Sequence, residues 1–207
     1  MADREAIAVL WATAQALAAG AGLPDGLPPL LFVTDPGRVP DPVAVAGRLP
    51  RGAGVIYRAF GASDAVGTAF ALREVADAQG LVLLVGLDAA LAEACGADGL
   101  HLPERMLGQG LQLRLDHPDW ILTGAAHDRE ALAAAEAAGL DAVLLSPVFQ
   151  SRSPSARAPL GLERFSALCA ATDLPVYALG GVVAGIAPGL IGAGAAGIAA
   201  VDAFLGP

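Results

Sequence analysis

The sequence predicts an α/β protein that folds as a single (β/α)8 barrel (a TIM barrel) with an extra N-terminal helix. Eight short apolar runs occur along the chain, each continuous rather than alternating with polar residues, which is typical of parallel strands buried on both faces. Helical segments separate most of these runs, and eight such repeats close into a barrel. With 207 residues, 55% of them hydrophobic, the chain can bury a large core. An open doubly wound sheet is the alternative, disfavoured because no Gly-x-Gly-x-x-Gly follows the first strand.

The predicted elements alternate along the chain. Residues 1–27 are expected to form the N-terminal helix and a loop, and residues 28–207 the barrel. The predicted strands are Leu30–Val33, Gly54–Tyr57, Leu81–Val85, Asp98–Leu102, Trp120–Thr123, Asp141–Leu145, Leu174–Leu179 and Ala196–Val201. The predicted helices are Arg4–Ala19, Asp41–Leu49, Ser63–Ala78, Asp88–Cys95, Arg105–Asp116, Asp128–Ala138, Gly161–Ala171, Ile186–Ala193 and a short Ala203–Gly206. Asp41, Ser63, and either His127 or Asp128 are expected to cap helices.

Composition excludes several classes of partner. The net charge of −9 and the pI near 4.6 argue against nucleic acid and against an anionic membrane surface, both of which favour basic proteins. Leu174–Val201 carries no charge over about 28 residues, enough to span a bilayer. It consists mostly of Gly and Ala, so we expect a buried strand–helix–strand unit instead. The expected partners are small molecules, and a homo-oligomer is a further possibility that the sequence leaves undecided.

The N-terminus and the cysteines indicate a cytoplasmic protein. Asp3, Arg4 and Glu5 precede a helical pattern rather than the apolar run of a secretory signal. Cys95 and Cys169 lie far apart on predicted helices and lack metal-ligand spacing. They are expected to be small buried hydrophobic residues in a reducing compartment.

Polar residues and glycines follow the predicted strands, where barrel enzymes place their active sites. These residues are Asp35, Arg58, Asp88, His101, Glu104, His127, Ser146, Ser151, Gly180, Gly181 and Asp202. His127 is the candidate general acid or base, because imidazole titrates near neutral pH; a surface His at a helix start is the alternative. His101 is expected either to line the cavity or to be a hydrogen-bonded core residue. Arg58 suits a phosphate or carboxylate, unless it forms a structural ion pair.

Two loops are candidate anion-binding segments. The loop from Ser146 to Arg157 contains Ser151, Arg152 and Ser153, and is either a lid that holds an anion or a solvated loop. The Gly180-Gly181 turn allows close approach of the backbone to a ligand. It is also expected to present N–H groups to a phosphate at the start of the next helix.

Several motifs, taken together, resemble one family. They are Leu31-Phe32-Val33-Thr34-Asp35, Gly96-Ala97-Asp98-Gly99-Leu100-His101-Leu102, the strand leading to His127, Ser146-Pro147-Val148-Phe149, Ala178-Leu179-Gly180-Gly181-Val182 and Gly194-Ala195-Ala196-Gly197-Ile198-Ala199. In this order the chain resembles the thiamine phosphate synthase and thiazole tautomerase superfamily from about Pro28 to Phe204. The Gly-Ala-Asp-Gly-x-His-Leu block is the most specific part.

The resemblance implies a (β/α)8 barrel of thiamine biosynthesis. The synthase joins an aminopyrimidine diphosphate to a thiazole phosphate and releases diphosphate with magnesium. The tautomerase isomerises a thiazole phosphate carboxylate without metal, using a His as acid and base. In both, the resemblance places the thiazole phosphate at the Gly-Gly turn and the last strand.

Several positions depart from the synthase pattern. The two metal carboxylates of the family correspond to Leu87 and Met106, which cannot bind magnesium. Of the strand-two Gln-x-Arg-x-Lys only Arg58 remains, and the Thr-x-Thr-Lys of the diphosphate loop becomes Ser151-Arg152-Ser153-Pro154. The Ser before the strand-five His is Ala125 here. Asp202 replaces a Ser where the family places phosphate, and a carboxylate beside phosphate is unfavourable unless a cation or proton intervenes.

Three hypotheses follow. The first is a metal-independent, tautomerase-like enzyme with His127 as acid and base, with Arg58, His101, Glu104, Ser146, Ser151, Arg152, Ser153, Gly180, Gly181 and Asp202 binding substrate and with no cofactor. The second is a divergent thiamine phosphate synthase that uses Asp88, Glu104 or Asp202 to hold magnesium. The third is a degenerate barrel that binds a small ligand or a partner without turnover.

Overall fold

A computed structural model of the protein describes residues 2–152 and 157–205. Within them, eight parallel strands form one closed barrel in sequence order, because β1 pairs with both β2 and β8. The strands are β1 Leu30–Val33, β2 Gly54–Tyr57, β3 Val82–Gly86, β4 Gly99–Leu102, β5 Ile121–Ala126, β6 Ala142–Leu145, β7 Val176–Ala178 and β8 Gly197–Ala200. The predicted (β/α)8 barrel is therefore confirmed, and the open sheet is wrong.

Seven α-helices accompany these strands in the described residues. They are α1 Ala2–Ala21, α2 Pro42–Ala46, α3 Ala65–Gln79, α4 Ala89–Cys95, α5 Gly110–Asp116, α6 Arg129–Ala137 and α7 Gly161–Cys169. Short 3-10 helices span Glu104–Gln109, Ala187–Leu190 and Asp202–Phe204. The side chains of Asp41, Asp88 and Asp128 each accept a backbone N–H in the first turn of the helix that follows, as N-caps do. No helix in the described ranges has the length and apolar character needed to cross a bilayer.

The sequence placed some element boundaries wrongly. Ser63 does not cap α3, because Asp64 occupies the N-cap position and its side chain makes no capping bond. The predicted helix Arg105–Asp116 is divided into a 3-10 segment and α5, in line with the low helix propensity of its glycines. Only Ala187–Leu190 of the predicted helix Ile186–Ala193 is helical, and as a 3-10 turn. Its Pro188 and flanking glycines disfavour an α-helix. The last segment begins at Asp202 rather than Ala203, and Gly206 lies outside the described residues.

Two ion pairs with the same arrangement join neighbouring strands at the amino-terminal ends of β4 and β6. Asp98, just before β4, accepts the backbone N–H of Leu83 in β3 at 2.7 Å and pairs with Arg73 of α3. Asp141, just before β6, accepts the N–H of Leu122 in β5 at 2.7 Å and pairs with Arg114 of α5. Each carboxylate joins a strand, the next strand and a helix, so both belong to the scaffold rather than to a site.

The barrel closes between β8 and β1, and α1 covers this seam from outside. The buried Tyr177 hydroxyl donates to the carbonyl of Pro28 at 2.8 Å, and the Phe32 and Phe204 rings meet edge to face at 5.3 Å. The helix α1 packs against β1, β8 and the 3-10 turn at Asp202–Phe204. It thus fills the outer position left without an eighth barrel helix. The proposed division at residues 27 and 28 stays a prediction.

Candidate active site

The carboxyl ends of the strands surround one cavity of about 900 Å³, at the large end of the size range of ligand sites in proteins. We call it the mouth cavity. The predicted site residues that line it are Arg58, His101, His127, Ser146, Ser151, Arg152, Gly180, Gly181 and Asp202. Glu104 does not line it, and Ser153 lies outside the described residues. Of the eleven residues expected after the strand ends, eight therefore line one cavity, together with Arg152 of the loop after β6; Asp35 and Asp88, like Glu104, do not line it.

His127 has a defined tautomer. Its Nδ1 lies 2.6 Å from the carbonyl oxygen of Ser146, and a carbonyl only accepts, so Nδ1 carries the hydrogen. In the neutral ring Nε2 is then an unprotonated acceptor. The ring follows directly on β5, whose last residue is Ala126, and this places it in the wall of the mouth cavity. The arrangement suits proton exchange at Nε2.

Glu104 lies next to His127 and does not line the mouth cavity. Its Oε2 lies 3.8 Å from His127 Nε2, and its Oε1 lies 4.0 Å from Arg157 Nη2. Both distances exceed a hydrogen bond. The position suits orientation or charge balance of these two side chains, not direct contact with a ligand in the mouth cavity.

His101 is a neutral group in the cavity floor. It is buried, and its Nδ1 lies 3.0 Å from Thr123 Oγ1. Burial, aided by the nearby positive charge of Arg58, lowers the pKa of His101 to about 3. The two alternatives from the sequence are therefore both true, because His101 lines the cavity and is also hydrogen-bonded in the core.

Arg58 is held rigidly at the end of β2. Its Nε donates to the carbonyl of Thr34 at 2.7 Å, and its Nη2 lies 3.7 Å from Asp35 Oδ2. Burial lowers the pKa of Arg58 to about 10, partly offset by Asp35, so the side chain stays charged at neutral pH. Within the described residues Nη2 is buried without a hydrogen-bond partner, which leaves it able to donate to a ligand.

Arg38 is a site residue that sequence reasoning missed. Its Nη1 lies 3.2 Å from Asp202 Oδ2 and its Nη2 lies 3.1 Å from Asp35 Oδ2. A turn brings Arg38 back over the end of β1, since the backbone N–H of Arg38 donates to the Asp35 carbonyl and the Asp35 side chain accepts from Gly37. The Asp-Pro-Gly-Arg sequence after a strand is a turn signal that could have identified it.

The sequence indicated that a carboxylate at Asp202 would disfavour a phosphate unless a cation lies next to it. Arg38 is such a cation, since its Nη1 lies within 3.4 Å of both carboxylate oxygens. Arg38 lies between Asp202 and Asp35, and Arg58 lies 3.7 Å from Asp35, so two guanidiniums balance the two carboxylates.

Gly180 and Gly181 allow close packing of their turn against the loop after β6. Gly180 and Gly181 have φ of +94° and +69°, a backbone region that side chains disfavour. A Cβ on Gly180 would lie 2.7 Å from Pro147, and one on Gly181 would clash with the carbonyl of Gln150. The turn is therefore required by close packing of the loop after β6. The helix expected to follow the turn is only a 3-10 turn, which begins at Ala187 rather than Ile186, and the phosphate site at the Gly180-Gly181 turn stays a prediction.

The donors near the mouth cavity do not fit magnesium. Leu87 and Met106 carry no oxygen ligand, and the Asp88 carboxylate accepts the N–H of Leu91 as the cap of α4. Asp202 is occupied by Arg38. Within residues 2–152 and 157–205, no three His, Cys, Asp or Glu side chains are grouped closely enough to hold a metal ion. Magnesium favours carboxylate oxygens in a near-octahedral shell, which this donor set does not offer.

The fold and the mouth cavity define a (β/α)8-barrel protein with a small-molecule site at the carboxyl ends of its strands. Residues 30–204 match the family described as thiamine monophosphate synthase. The chain belongs to this family, as its motifs indicated.

Relatives support this assignment. A thiamine-phosphate synthase of Methanoculleus marisnigri is 34% identical over 144 residues, covering 69% of this chain and 68% of that one. A thiamine-phosphate synthase of Moorella thermoacetica is 31% identical over 166 residues, covering 78% and 79%. The thiamine phosphate pyrophosphorylase structure from Pyrococcus furiosus superposes with a TM-score of 0.71 at 21% identity, covering 84% and 85%, which supports the fold. These relatives favour the synthase hypothesis over the tautomerase hypothesis.

We predict that His101 makes the protein less stable in acid. Its folded pKa of about 3 lies below the ordinary 6.5, so between these values the unfolded chain binds a proton that the folded one excludes. Stability is then lost as the pH falls from about 6.5 toward 3, by up to about 1.4 kcal/mol per pH unit. Urea unfolding of a His101→Gln variant should show a shallower loss over this range.

The matched control is His117→Gln, which removes a half-buried imidazole stacked on Trp120. This variant should keep the steep dependence of the parent. Equal slopes for His101→Gln and the parent protein would contradict the assignment of His101 as a buried neutral group.

Proposed function

We propose that this protein is a transferase that couples an aminopyrimidine diphosphate to a thiazole, the reaction type of the thiamine-phosphate synthases among its relatives. The observation that carries the proposal is the mouth cavity itself. At about 900 Å³, it offers room for two small heterocycles side by side, whereas isomerisation of one ring needs far less. Family membership supports the same reaction class.

Arginines supply the positive charge for the diphosphate of the donor. Arg152 and Arg157 line the rim on the loop after β6 and supply the charge. Arg58 in the wall, whose own charge is balanced by Asp35, adds Nη2 as a hydrogen-bond donor, since this atom has no hydrogen-bond partner among the described residues. A guanidinium binds phosphate oxygens with two parallel hydrogen bonds. These residues are placed to hold the diphosphate and stabilise the charge that it gains on leaving.

The coupling step makes no demand for a general base. The lone pair of the thiazole ring nitrogen forms the new C–N bond to the methylene carbon of the donor. The C–O bond to diphosphate breaks, and its electron pair leaves with the diphosphate. His127 and His101 then act by hydrogen bonding: His101 as a neutral polar group in the floor, and His127 by accepting at Nε2 a hydrogen bond from the amino group of the pyrimidine.

We expect the purified chain to form the coupled pyrimidine–thiazolium product and release diphosphate in equal amounts. The assay supplies the donor with a thiazole acceptor in both alcohol and phosphate forms, and chromatography measures the product. Replacing Arg152 by Gln should lower kcat/KM for the donor at least tenfold, because one phosphate contact is lost. An Arg129→Gln variant, which removes an exposed Arg of α6 outside the mouth cavity, serves as control.

A negative assay has a clear meaning. If no diphosphate is released with either acceptor at any magnesium concentration, the transferase proposal is wrong. Binding of both substrates without turnover would instead favour the degenerate barrel.

A second candidate is metal-independent isomerisation of a thiazole, as first suggested by the sequence. One observation favours it: the Ser146 carbonyl fixes the proton of His127 on Nδ1, which leaves Nε2 as a base in the wall of the mouth cavity. A proton removed from one ring carbon by Nε2 could be returned to another position of the same ring.

The His127→Gln variant separates the two candidates. Gln preserves a hydrogen-bonding side chain but cannot exchange protons, so isomerisation should fall by about 100-fold or more, the usual contribution of acid–base catalysis. Coupling should fall far less, because it transfers no proton. Isomerisation at the parental rate in a folded His127→Gln protein would exclude the second candidate.

A further inference from the structure

The end of β8 carries an unusual group for a barrel of this type. Loops after the seventh and eighth strands often bind phosphate in (β/α)8 enzymes. In this chain the residue that opens the 3-10 turn after β8 is Asp202, which lines the mouth cavity with 29% of its side chain exposed. A carboxylate thus occupies the subsite where a phosphate is usual.

The charges around Asp202 already balance one another. Arg38 Nη1 contacts both oxygens of Asp202 at 3.2 and 3.4 Å, and Arg38 Nη2 is bonded to Asp35. The Arg58 guanidinium lies 3.7 Å from the same Asp35. Among the described residues that line the cavity here, Arg38 and Arg58 are thus each balanced by Asp202 or Asp35. Arg48 donates to the Phe204 carbonyl and does not line the cavity. A phosphate dianion here would either meet Asp202 directly or have to displace it from Arg38, and both cost free energy.

The backbone of the Gly180-Gly181 turn, which lines the cavity, supplies N–H dipoles but not the full positive charge that a phosphate dianion next to Asp202 would need. The following 3-10 turn begins only at Ala187 and is four residues long. A neutral hydroxyl, by contrast, can donate a charge-assisted hydrogen bond to the Asp202 carboxylate without disturbing its pair with Arg38.

We propose that this protein takes a thiazole with a free hydroxyalkyl side chain as its acceptor, in preference to the phosphate ester, and that Asp202 determines this choice. The Asp202 carboxylate accepts a hydrogen bond from the hydroxyl group, while Arg38 holds the carboxylate in place. This inference rests on the proposed function, whose acceptor it names. The positive charge of Arg152 and Arg157, on the loop after β6, remains for the diphosphate of the donor.

Calorimetry with the full chain tests the preference. The two probes are the hydroxyalkyl thiazole and its phosphate ester. The parent protein should bind the alcohol at least tenfold more tightly, a difference of about 1.4 kcal/mol. Asp202→Ser, which removes the carboxylate, should reverse the order and bind the ester at least tenfold more tightly than the parent does.

The control is Asp119→Ser, which removes an exposed carboxylate just before β5, at the opposite end of the barrel. This variant should keep the preference of the parent. Circular dichroism and thermal melting establish that each variant is folded, and Asp202→Asn repeats the test with side-chain shape preserved.

The outcomes are distinct. Tighter binding of the ester by the parent protein overturns the inference while leaving the transferase proposal intact, and this comparison needs no variant. An unchanged preference in folded Asp202→Ser and Asp202→Asn also overturns it, because Asp202 would not be the determinant. If neither thiazole binds and no coupling occurs, the proposed function fails and the inference fails with it.

Discussion

Pairing of the first strand with the last is the constraint on which the site depends. The hydrogen bonds between β1 and β8 bring the turn after β1 beside the turn after β8. Only this closure allows Arg38 to contact Asp202, a residue 164 positions away in the chain. The same seam is fixed below by Tyr177 and Pro28 and covered outside by α1. An open sheet of the same strands would leave the two carboxylates and two guanidiniums apart.

Four guanidiniums line the mouth cavity in the described residues, those of Arg38, Arg58, Arg152 and Arg157. Positions that resemble the metal carboxylates of the synthases hold Leu87 and Met106, while guanidiniums line the same cavity. Leu87 has φ of +72°, and the Asp88 N–H donates to the Gly86 carbonyl across it in a tight turn. Asp and Asn tolerate this left-handed backbone better than Leu. The turn therefore has a backbone conformation that suits Asp or Asn, although Leu87 occupies it.

The strands could be predicted from the sequence because each is a continuous apolar run that ends at Gly, Pro or a charged residue. The strands β1 and β2 have the predicted bounds, and eight of the eleven residues predicted at the strand ends line one cavity. Features that depend on two distant segments could not be predicted. The pairing of Arg38 with Asp202 needs barrel closure, and the crowding at Gly180 needs the position of Pro147. Glu104 follows β4 as expected, yet the 3-10 geometry there turns it toward His127 instead of the cavity.

The central claim is that fixed guanidiniums, rather than a metal held by carboxylates, receive the diphosphate in the mouth cavity. Binding of inorganic diphosphate to the purified protein, measured by calorimetry with excess EDTA and again with excess magnesium, tests this most directly. Binding with a dissociation constant that changes by less than about threefold between the two conditions is the result expected from arginine recognition. Binding that occurs only with magnesium would contradict it.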